Sequence, residues 1–310
     1  MVDLSVIIPV YNEEKNIDFL YHRLVTVIAS LGISYELVFI NDGSRDNTLM
    51  FIRQLAMNND SVKFIDFSRN FGHQVAVTAG LNFCKGNRIV IIDADLQDPP
   101  ELIADMNAKM NEGFNVVYAK RRVRAGESYF KLFTAKLFYK LLSHLTAIDI
   151  PVDTGDFRMM DRKVVNTLNK MPERHRFIRG MVSWVGFRQG YVEYDRDKRH
   201  AGETGYTFRK MLRFAVDGIT GFSNVPLRLA TYAGFIFSFI SFIMIIYALY
   251  SKFFSDTYVQ GWASIIISIL FIGGVQLICL GVIGEYLLRI DDNIRQRPLY
   301  IINDTNMDND

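Results

Sequence analysis

Residues 88–102 read RIVIIDADLQDPPEL. The uninterrupted apolar run is what a strand covered on both faces requires. It ends in Asp93-Ala94-Asp95, and Pro99-Pro100 opens the next helix, since proline is tolerated in the first turn. The repeating unit is therefore strand, acidic end, helix. Working outward, the same unit recurs. Leu4–Val10 predicts a strand and Asn16–Leu31 a helix; Glu36–Asn41 and Asn47–Met57 repeat the pair. Val62–Phe67 precedes a helix over Gln74–Cys84, and Asn115–Ala119 is a further strand. Such alternation predicts an α/β domain, with a mostly parallel sheet carrying helices on both faces. Ligands of such sheets lie beyond the carboxyl ends of the strands.

Three of those ends stand out. The first strand ends in Pro9-Val10-Tyr11-Asn12-Glu13, the second in Asn41-Asp42-Gly43-Ser44, and the fourth in Asp93-Ala94-Asp95-Leu96-Gln97-Asp98. A carboxylate accepts hydrogen bonds from ribose hydroxyls or a base imide. Two aspartates one residue apart can hold a hard divalent cation through oxygen. Such a cation neutralises a diphosphate as it leaves. An isolated Asp-x-Asp is equally a solvated turn; its register with the other two strand ends favours a site.

Of the 310 residues, 50% are apolar, and the net charge is +2. That charge gives no reason to expect nucleic acid. Cys84 and Cys279 lie in chemically different regions and form neither a disulfide framework nor a zinc site. Val6–Val10 is too short, and lacks the basic leader, for a signal peptide. No charged residue occurs from Leu229 to Tyr250 or from Tyr258 to Gly284. Runs of about 20 apolar residues cross a membrane as helices. The short connector predicts a transmembrane hairpin over 227–290, with spans at about 229–250 and 258–284. The outer flanks carry Arg209, Lys210, Arg213 and Arg228 on one side, and Arg289, Arg295 and Arg297 on the other. Positive flanks face the cytoplasm. The expected organisation is a catalytic domain over 1–205, juxtamembrane amphipathic helices over 206–226, the hairpin, and a cytoplasmic tail over 291–310. The protein is thus expected to be multi-pass in the plasma membrane, with the catalytic domain and both termini cytoplasmic. Glu285 and Arg289 are expected to pair, one turn apart. Gly273-Gly274, Gly281 and Gly284 would allow close helix contact.

The segments SVIIPVYNEEKNI (5–17), FINDGSRDNT (39–48) and IIDADLQDPPE (91–101) resemble inverting family 2 glycosyltransferases of the GT-A fold. DTGDFRMMDR (153–162), FIRGMVSWVGF (177–187), RDKRHAGETGYTFRKM (196–211) and the hairpin narrow the resemblance. They are similar to polyprenyl-phosphate glycosyltransferases, namely dolichyl-phosphate mannose synthases and, more closely, bactoprenol glucosyltransferases. The resemblance implies that Pro9, Tyr11, Glu13 and Asp42 hold the nucleoside. It implies that Asp93, Asp95 and Gln97 bind Mg²⁺ or Mn²⁺ and the diphosphate, and that Arg199 closes over the diphosphate. Thr204-Gly205-Tyr206 stands where relatives often have Ser-Lys-Tyr, so a lysine contact to phosphate that the resemblance implies is missing beside Arg199 and Arg196.

The family pattern places the catalytic aspartate at Asp156. A phosphate monoester has its second pKa near 6, so the acceptor is already largely dianionic near pH 7. Asp156 is then a general base, or it orients a sugar hydroxyl, holds Arg158, or stabilises charge at the anomeric carbon; otherwise it is a turn residue capping the next element. An anionic acceptor meeting an anionic donor needs cations between them. Lys120, Arg121, Arg122 and Arg124 follow the strand ending at Ala119, and Ser128–Ile148 combines aromatic bulk with Lys131, Lys136 and Lys140. That segment and Tyr206–Gly221 suit helices lying among lipid headgroups. Arg121, then Lys131, are the candidates for the acceptor phosphate. The donor expected is UDP-glucose, with UDP-N-acetylglucosamine and GDP-mannose open. A processive polysaccharide synthase and an inactive membrane scaffold are the rival readings, and a homo-oligomer is expected from similar proteins.

Overall fold

The computed structural model describes residues 2–122, 154–195, 225–254 and 262–307. Arg196, Arg199, Arg124, Lys131, Asp153 and both juxtamembrane segments lie outside the described residues. Eight strands form one sheet: β1 (Leu4–Val10), β2 (Tyr35–Asn41), β3 (Val62–Phe67), β4 (Arg88–Ile91), β5 (Val116–Arg121), β6 (Thr154–Asp161), β7 (Gln189–Tyr194) and β8 (Ile302–Thr305). Their order is β7-β5-β6-β4-β1-β2-β3-β8. Among the described residues, six helices flank the sheet: α1 (Ile17–Leu31), α2 (Thr48–Asn58), α3 (His73–Phe83), α4 (Leu102–Asn111), α5 (Arg162–Asn169) and α6 (Ile178–Trp184). The mostly parallel α/β sheet anticipated from strand–helix alternation is present.

Side-chain alternation divides the core into two layers. Leu4, Val6, Ile8 and Val10 of β1 pack with α1, α2 and α4 on one face. Ile7 of the same strand packs with α3, α5 and α6 on the other. This double covering explains why the central strands read as continuous apolar runs. α3 approaches the sheet closely because Gly80 has no side chain. A Cβ there would lie 2.4 Å from Ile7 Cγ2 and 3.0 Å from Ile40 Cδ1.

β5 does not sit beside β4. β6 inserts between them and runs antiparallel to both, with Ile91 opposite Arg158 and Lys120 opposite Thr154. The start of β6 therefore falls at the carboxyl ends of its neighbours. This reversal brings a residue from far along the chain to the acidic edge of β4.

Two long helices, α7 (Val225–Phe254) and α8 (Trp262–Arg295), form the C-terminal hairpin. Phe237 meets Phe271 edge-on at 5.2 Å, and Cys279 Sγ lies 3.7 Å from the Ala230 carbonyl oxygen, so the helices run antiparallel. Their apolar side chains point outward, with Phe235 72% and Leu277 71% exposed. Among the described residues, Phe271–Arg295 is long and apolar enough to cross a membrane, and Val225–Phe237 forms a shorter apolar helix. Glu285 and Arg289 pair at 3.8 Å, as their spacing predicts. Among the described residues, a Cβ at Gly273, Gly274, Gly281 or Gly284 would meet nothing within 4 Å.

The region expected as a tail over 291–310 packs on the catalytic domain. His175 pairs with Asp292 of the last turn of α8 at 3.0 Å, and β8 then joins β3 as an antiparallel edge strand. An edge strand leaves backbone N–H and C=O groups unpaired, and β8 supplies partners for those of β3. Its four residues, INDT, are too short and polar to signal a strand in isolation.

Gly80→Ala is expected to lower unfolding stability by about 1–3 kcal/mol, the usual cost of overpacking a well-filled core. A chemical-denaturation midpoint equal to wild type would show that α3 can move away from β1 freely.

Candidate active site

The carboxyl ends of β1, β2 and β3 surround a cavity of about 360 Å³, lined in part by Tyr11, Asn41, Ser44, Asp66 and Arg69. Three loops build its rim. Asn12 adopts φ 56°, and its backbone N–H donates to Ser44 Oγ at 2.9 Å while its side-chain oxygen accepts from Arg45 N at 2.8 Å. Gly43 has φ 66°, and a Cβ there would come within 2.5 Å of the Arg69 carbonyl carbon and 2.6 Å of Asn70 N. Only glycine permits that backbone crossing.

The residues expected around the nucleoside occupy this edge in different ways. Tyr11 is 44% exposed on the rim, whereas Pro9 is buried inside β1. Glu13 accepts from Asn16 Nδ2 at 2.6 Å, and its own N–H donates to Thr48 Oγ1 at 2.9 Å. Asp42 faces the neighbouring loop. Its carboxylate accepts from the N–H groups of Phe71 at 2.6 Å and Gly72 at 3.0 Å, immediately before α3. Burial raises the Asp42 pKa, and those two N–H groups offset part of the rise. Asp42 thus fixes where α3 begins.

Beyond β4, Asp95 and Asp98 are buried, while the Asp93 side chain is 35% exposed. Leu96 takes φ 59°, and the Gln97 backbone N–H donates to Asp95 Oδ1 at 3.2 Å. Burial raises the Asp93 pKa; Asp156, Asp98 and Asp95 add to the rise, while His73 opposes it. Asp93 Oδ1 is buried and accepts no hydrogen bond. Among the described residues, no three His, Cys, Asp or Glu side chains converge as a complete metal cage. A cation held by one or two carboxylates, with substrate phosphates supplying further oxygens, needs no such cage. The crowded acids and the unbonded Asp93 oxygen fit that arrangement.

Opposite these acids stands Asp156, near the start of β6 and 8% exposed. Arg179 Nε donates to its Oδ1 at 2.8 Å. His73 Nε2 and Gln74 Nε2, from the first turn of α3, reach its Oδ2 at 3.1 and 3.2 Å. Arg158 Nη2 lies 3.7 Å from Oδ1. Burial would raise the Asp156 pKa, but Arg179, His73 and Arg158 outweigh it and hold the carboxyl well below the usual carboxylate range. His73 also lies 3.6 Å from Asp93 Oδ1. Burial would lower the His73 pKa; Asp93 and Asp156 reverse this and raise it to about 9. His73 thus links the two acidic centres as a cation. Burial pushes Arg158 down to about 10, which leaves it charged at neutral pH.

Arg121 closes the same region from the end of β5. Its Nε donates to Tyr194 Oη at 3.2 Å, and its Nη2 lies 3.9 Å from Asp98 Oδ1. Tyr194 in turn donates to Asp98. Burial and Asp98 raise the Tyr194 pKa, so the phenol keeps its proton. Gly155 leaves room here, since a Cβ would sit 3.2 Å from Arg121 Nη2. His73, Gln74, Arg179 and Tyr194 escaped the sequence reading. His73-Gln74 opens a helix directly after Asn70-Phe71-Gly72, and Arg179 lies inside the 177–187 motif; both positions carried a signal.

The fold and these strand ends define the class. The family model for glycosyl transferase family 2 matches residues 5–168, and the one for the GtrB C-terminal hairpin matches 225–290. The chain belongs to glycosyl transferase family 2, and its sheet is of the GT-A type. Within the family, it is 52% identical to the uncharacterized glycosyltransferase YkcC of Bacillus subtilis (strain 168), over 97% of this chain and 93% of that one. It is 40% identical to the prophage bactoprenol glucosyl transferase homolog of Escherichia coli (strain K12), over 96% of this chain and 98% of that one. The bactoprenol glucosyl transferase of Shigella phage SfII is 40% identical over 96% of this chain and 97% of its own length. A solved glucosyl-3-phosphoglycerate synthase from Mycobacterium tuberculosis, with Mn²⁺, UDP and phosphoglyceric acid, has 18% identity and a TM-score of 0.49, covering 70% of this chain and 78% of that one.

Arg179→Met is expected to cost about 1.5–3 kcal/mol, the range for a hydrogen bond to a charged group. Calorimetry of the detergent-solubilised protein checks it. A transition unchanged from wild type would mean that His73 and Arg158 suffice to compensate Asp156.

Proposed function

We propose that this protein transfers glucose from UDP-glucose to a polyprenyl phosphate, with inversion, at the cytoplasmic face of a membrane. The observation that carries the reading is the pairing of two unlike acidic centres across one cleft. Asp93 is crowded by other acids and lacks a hydrogen-bond donor at one oxygen, whereas Asp156 is compensated by cations. The first environment suits a cation and a diphosphate. The second suits a carboxylate that stays charged throughout the reaction. The bactoprenol glucosyl transferases, similar over nearly the whole chain, support the lipid acceptor and the sugar.

In this reading the cavity at β1–β3 receives the nucleoside, and the diphosphate lies toward Asp93 and Asp95. A bound Mg²⁺ or Mn²⁺ would be held by those carboxylates and would neutralise the departing diphosphate. Arg121, braced by Tyr194 and Asp98, receives the acceptor phosphate; guanidinium suits phosphate because its donors form a planar fork. A phosphate oxygen attacks the anomeric carbon from the face opposite the diphosphate as the bond to the diphosphate breaks. The nucleophile brings no proton that must be removed. Asp156, fixed on one side by Arg179 and on the other by His73 and Gln74, orients the sugar and stabilises the positive charge that develops at the anomeric carbon. α7 and α8 together span the bilayer as a two-pass hairpin and hold the cleft at the headgroup level.

Membranes containing the protein, supplied with labelled UDP-glucose and polyprenyl phosphate, are expected to yield label in an organic-extractable, mild-acid-labile lipid. Chelation, or Asp95→Asn, should nearly abolish it. Labelled lipid from a different nucleotide-sugar only, or none from any, would refute the donor or the class respectively. Asp156→Asn is expected to lose turnover, and the loss should persist from about pH 6 to 9. The wild-type carboxyl, held below its ordinary range, is fully ionised throughout that window, so its contribution does not titrate there. Recovery of the variant toward wild-type turnover at high pH would instead identify Asp156 as a general base, whose contribution is typically about 10²–10⁴-fold.

A further inference from the structure

Three consecutive residues at the end of β3 and just beyond it line the cavity: Asp66, Phe67 and Ser68. Each is held by the segment that follows α8. Asp66 is 4% exposed; Asn41 Nδ2 donates to its Oδ1 at 2.7 Å, and Asn303 Nδ2 donates to its Oδ2 at 2.9 Å. Phe67 stacks on Tyr300, with centroids 5.2 Å apart and planes at 15°. The Ser68 N–H donates to the Ile301 carbonyl at 3.0 Å. The strand register shows how Asn303 reaches Asp66. Pairing steps from Asp66 opposite Asp304 to Phe67 opposite Ile302, which leaves Asn303 as the extra residue of a β-bulge. A bulge re-aims the side chain of its extra residue and recurs beside active sites. Here it turns an amide toward a buried carboxylate on the cavity wall.

We infer that Asn303 and Tyr300 are positioning residues for the donor nucleotide: through Asp66 and Phe67 they set the wall of the donor cavity. The inference rests on reading that cavity as the nucleoside site. Asp66 carries two oxygens that must both be satisfied where it is buried. With Asn303 in place its carboxylate is locked between two amides and presents one fixed surface to the base or ribose. Without Asn303, one oxygen lacks a donor and the carboxylate can turn toward the ligand space. The stack of Tyr300 on Phe67 fixes the neighbouring wall, and Tyr300 is itself held by Asn82 Nδ2 at 3.0 Å. Nothing in this arrangement reaches Arg121 or Asp156, so the effect belongs to donor binding and not to the acceptor or the chemical step.

The next residue along supplies a control. Asp304 pairs with Arg53 of α2 at 2.6 Å, and Arg53 does not line the cavity. Asp304→Ala removes a comparable contact from the same strand without touching the wall. The experiment measures UDP and GDP binding by titration calorimetry, together with steady-state KM for donor and acceptor, in full-length protein. Ser68→Trp, which fills the cavity from an exposed position, tests the cavity itself and is expected to abolish nucleotide binding. Asn303→Ala and Tyr300→Ala are each expected to raise the nucleotide Kd and donor KM by about three- to tenfold, the scale of one unmade hydrogen bond or lost packing contact. Acceptor KM should stay within about twofold, and Asp304→Ala should leave donor KM at the wild-type value. Unchanged nucleotide binding by Ser68→Trp overturns the cavity reading and the inference with it. Loss in Ser68→Trp, combined with unchanged donor KM in Asn303→Ala and Tyr300→Ala, overturns the inference alone. Equal shifts in Asn303→Ala and Asp304→Ala also overturn it, because they would reduce the segment to general support. If Asn303→Ala fails to fold, Tyr300→Ala against Tyr300→Phe decides, since phenylalanine keeps the stack and is expected to retain donor affinity.

Discussion

Removing a carboxylate from water costs several kcal/mol unless opposite charge and hydrogen bonds replace its hydration. Asp156 meets that cost with partners from three separate places: His73 and Gln74 at the start of α3, Arg158 on its own strand, and Arg179 in α6. None of these lies beside it by accident of local sequence except Arg158. The cluster requires β6 to run antiparallel between β4 and β5, α3 to begin where Asp42 pins residues 71 and 72, and α6 to pack on the same face. If any of these slips, a buried charge is left without compensation. The compensated carboxylate is therefore both the centre of the cleft and a check on the assembly of the domain around it.

The parallel half of the domain was legible because each of its strands is covered on both faces. β1 through β4 write that covering directly as apolar runs ended by polar residues, and the structure places each within two residues of the expected bounds. The strands that escaped lack that signature: β6 is buried from Gly155 to Met160, but Asp156 and Arg158 interrupt its apolar run. β7 has alternating exposure, and β8 is a four-residue edge strand. Site residues divide the same way. Asp93, Asp95 and Asp156 stand at strand ends, where chemistry-bearing side chains are sought first. His73 sits in a first helical turn, and its importance comes from two carboxylates that are 20 and 83 positions away in the chain. No local pattern encodes such a meeting. Asp42, whose residue type and place suggest a ligand contact, has a second task that no local pattern announced: its carboxylate accepts from the backbone N–H groups of Phe71 and Gly72.

The molecule also joins two opposite solutions to the hydrophobic effect. In the catalytic domain the large aliphatic residues are inside, and Leu4, Ile7, Ile8 and Phe39 have no exposure. In α7 and α8 described apolar side chains such as Phe235 and Leu277 are outside, a pattern suited to hydrocarbon surroundings. The junction is polar. His175 pairs with Asp292, and the Arg174 backbone N–H donates to Asn293 Oδ1 at 3.3 Å, just where α8 leaves its apolar stretch. These contacts tie the membrane helix to the loop before α6, the helix that carries Arg179.

β8 comes after both hairpin helices in the chain, yet it pairs with β3, which was made before any of them. During synthesis, which proceeds at about 5–20 residues per second, the N-terminal strands can associate while α7 and α8 are still inside the ribosome. The outer edge of β3 then stays unpaired until both hairpin helices and the residues after them have been made. Only afterwards can β8 return to close the sheet beside Asp66. Completion of the domain thereby waits on synthesis of the hairpin: a chain that stops before Ile302 lacks the strand that covers the far wall of its own cavity.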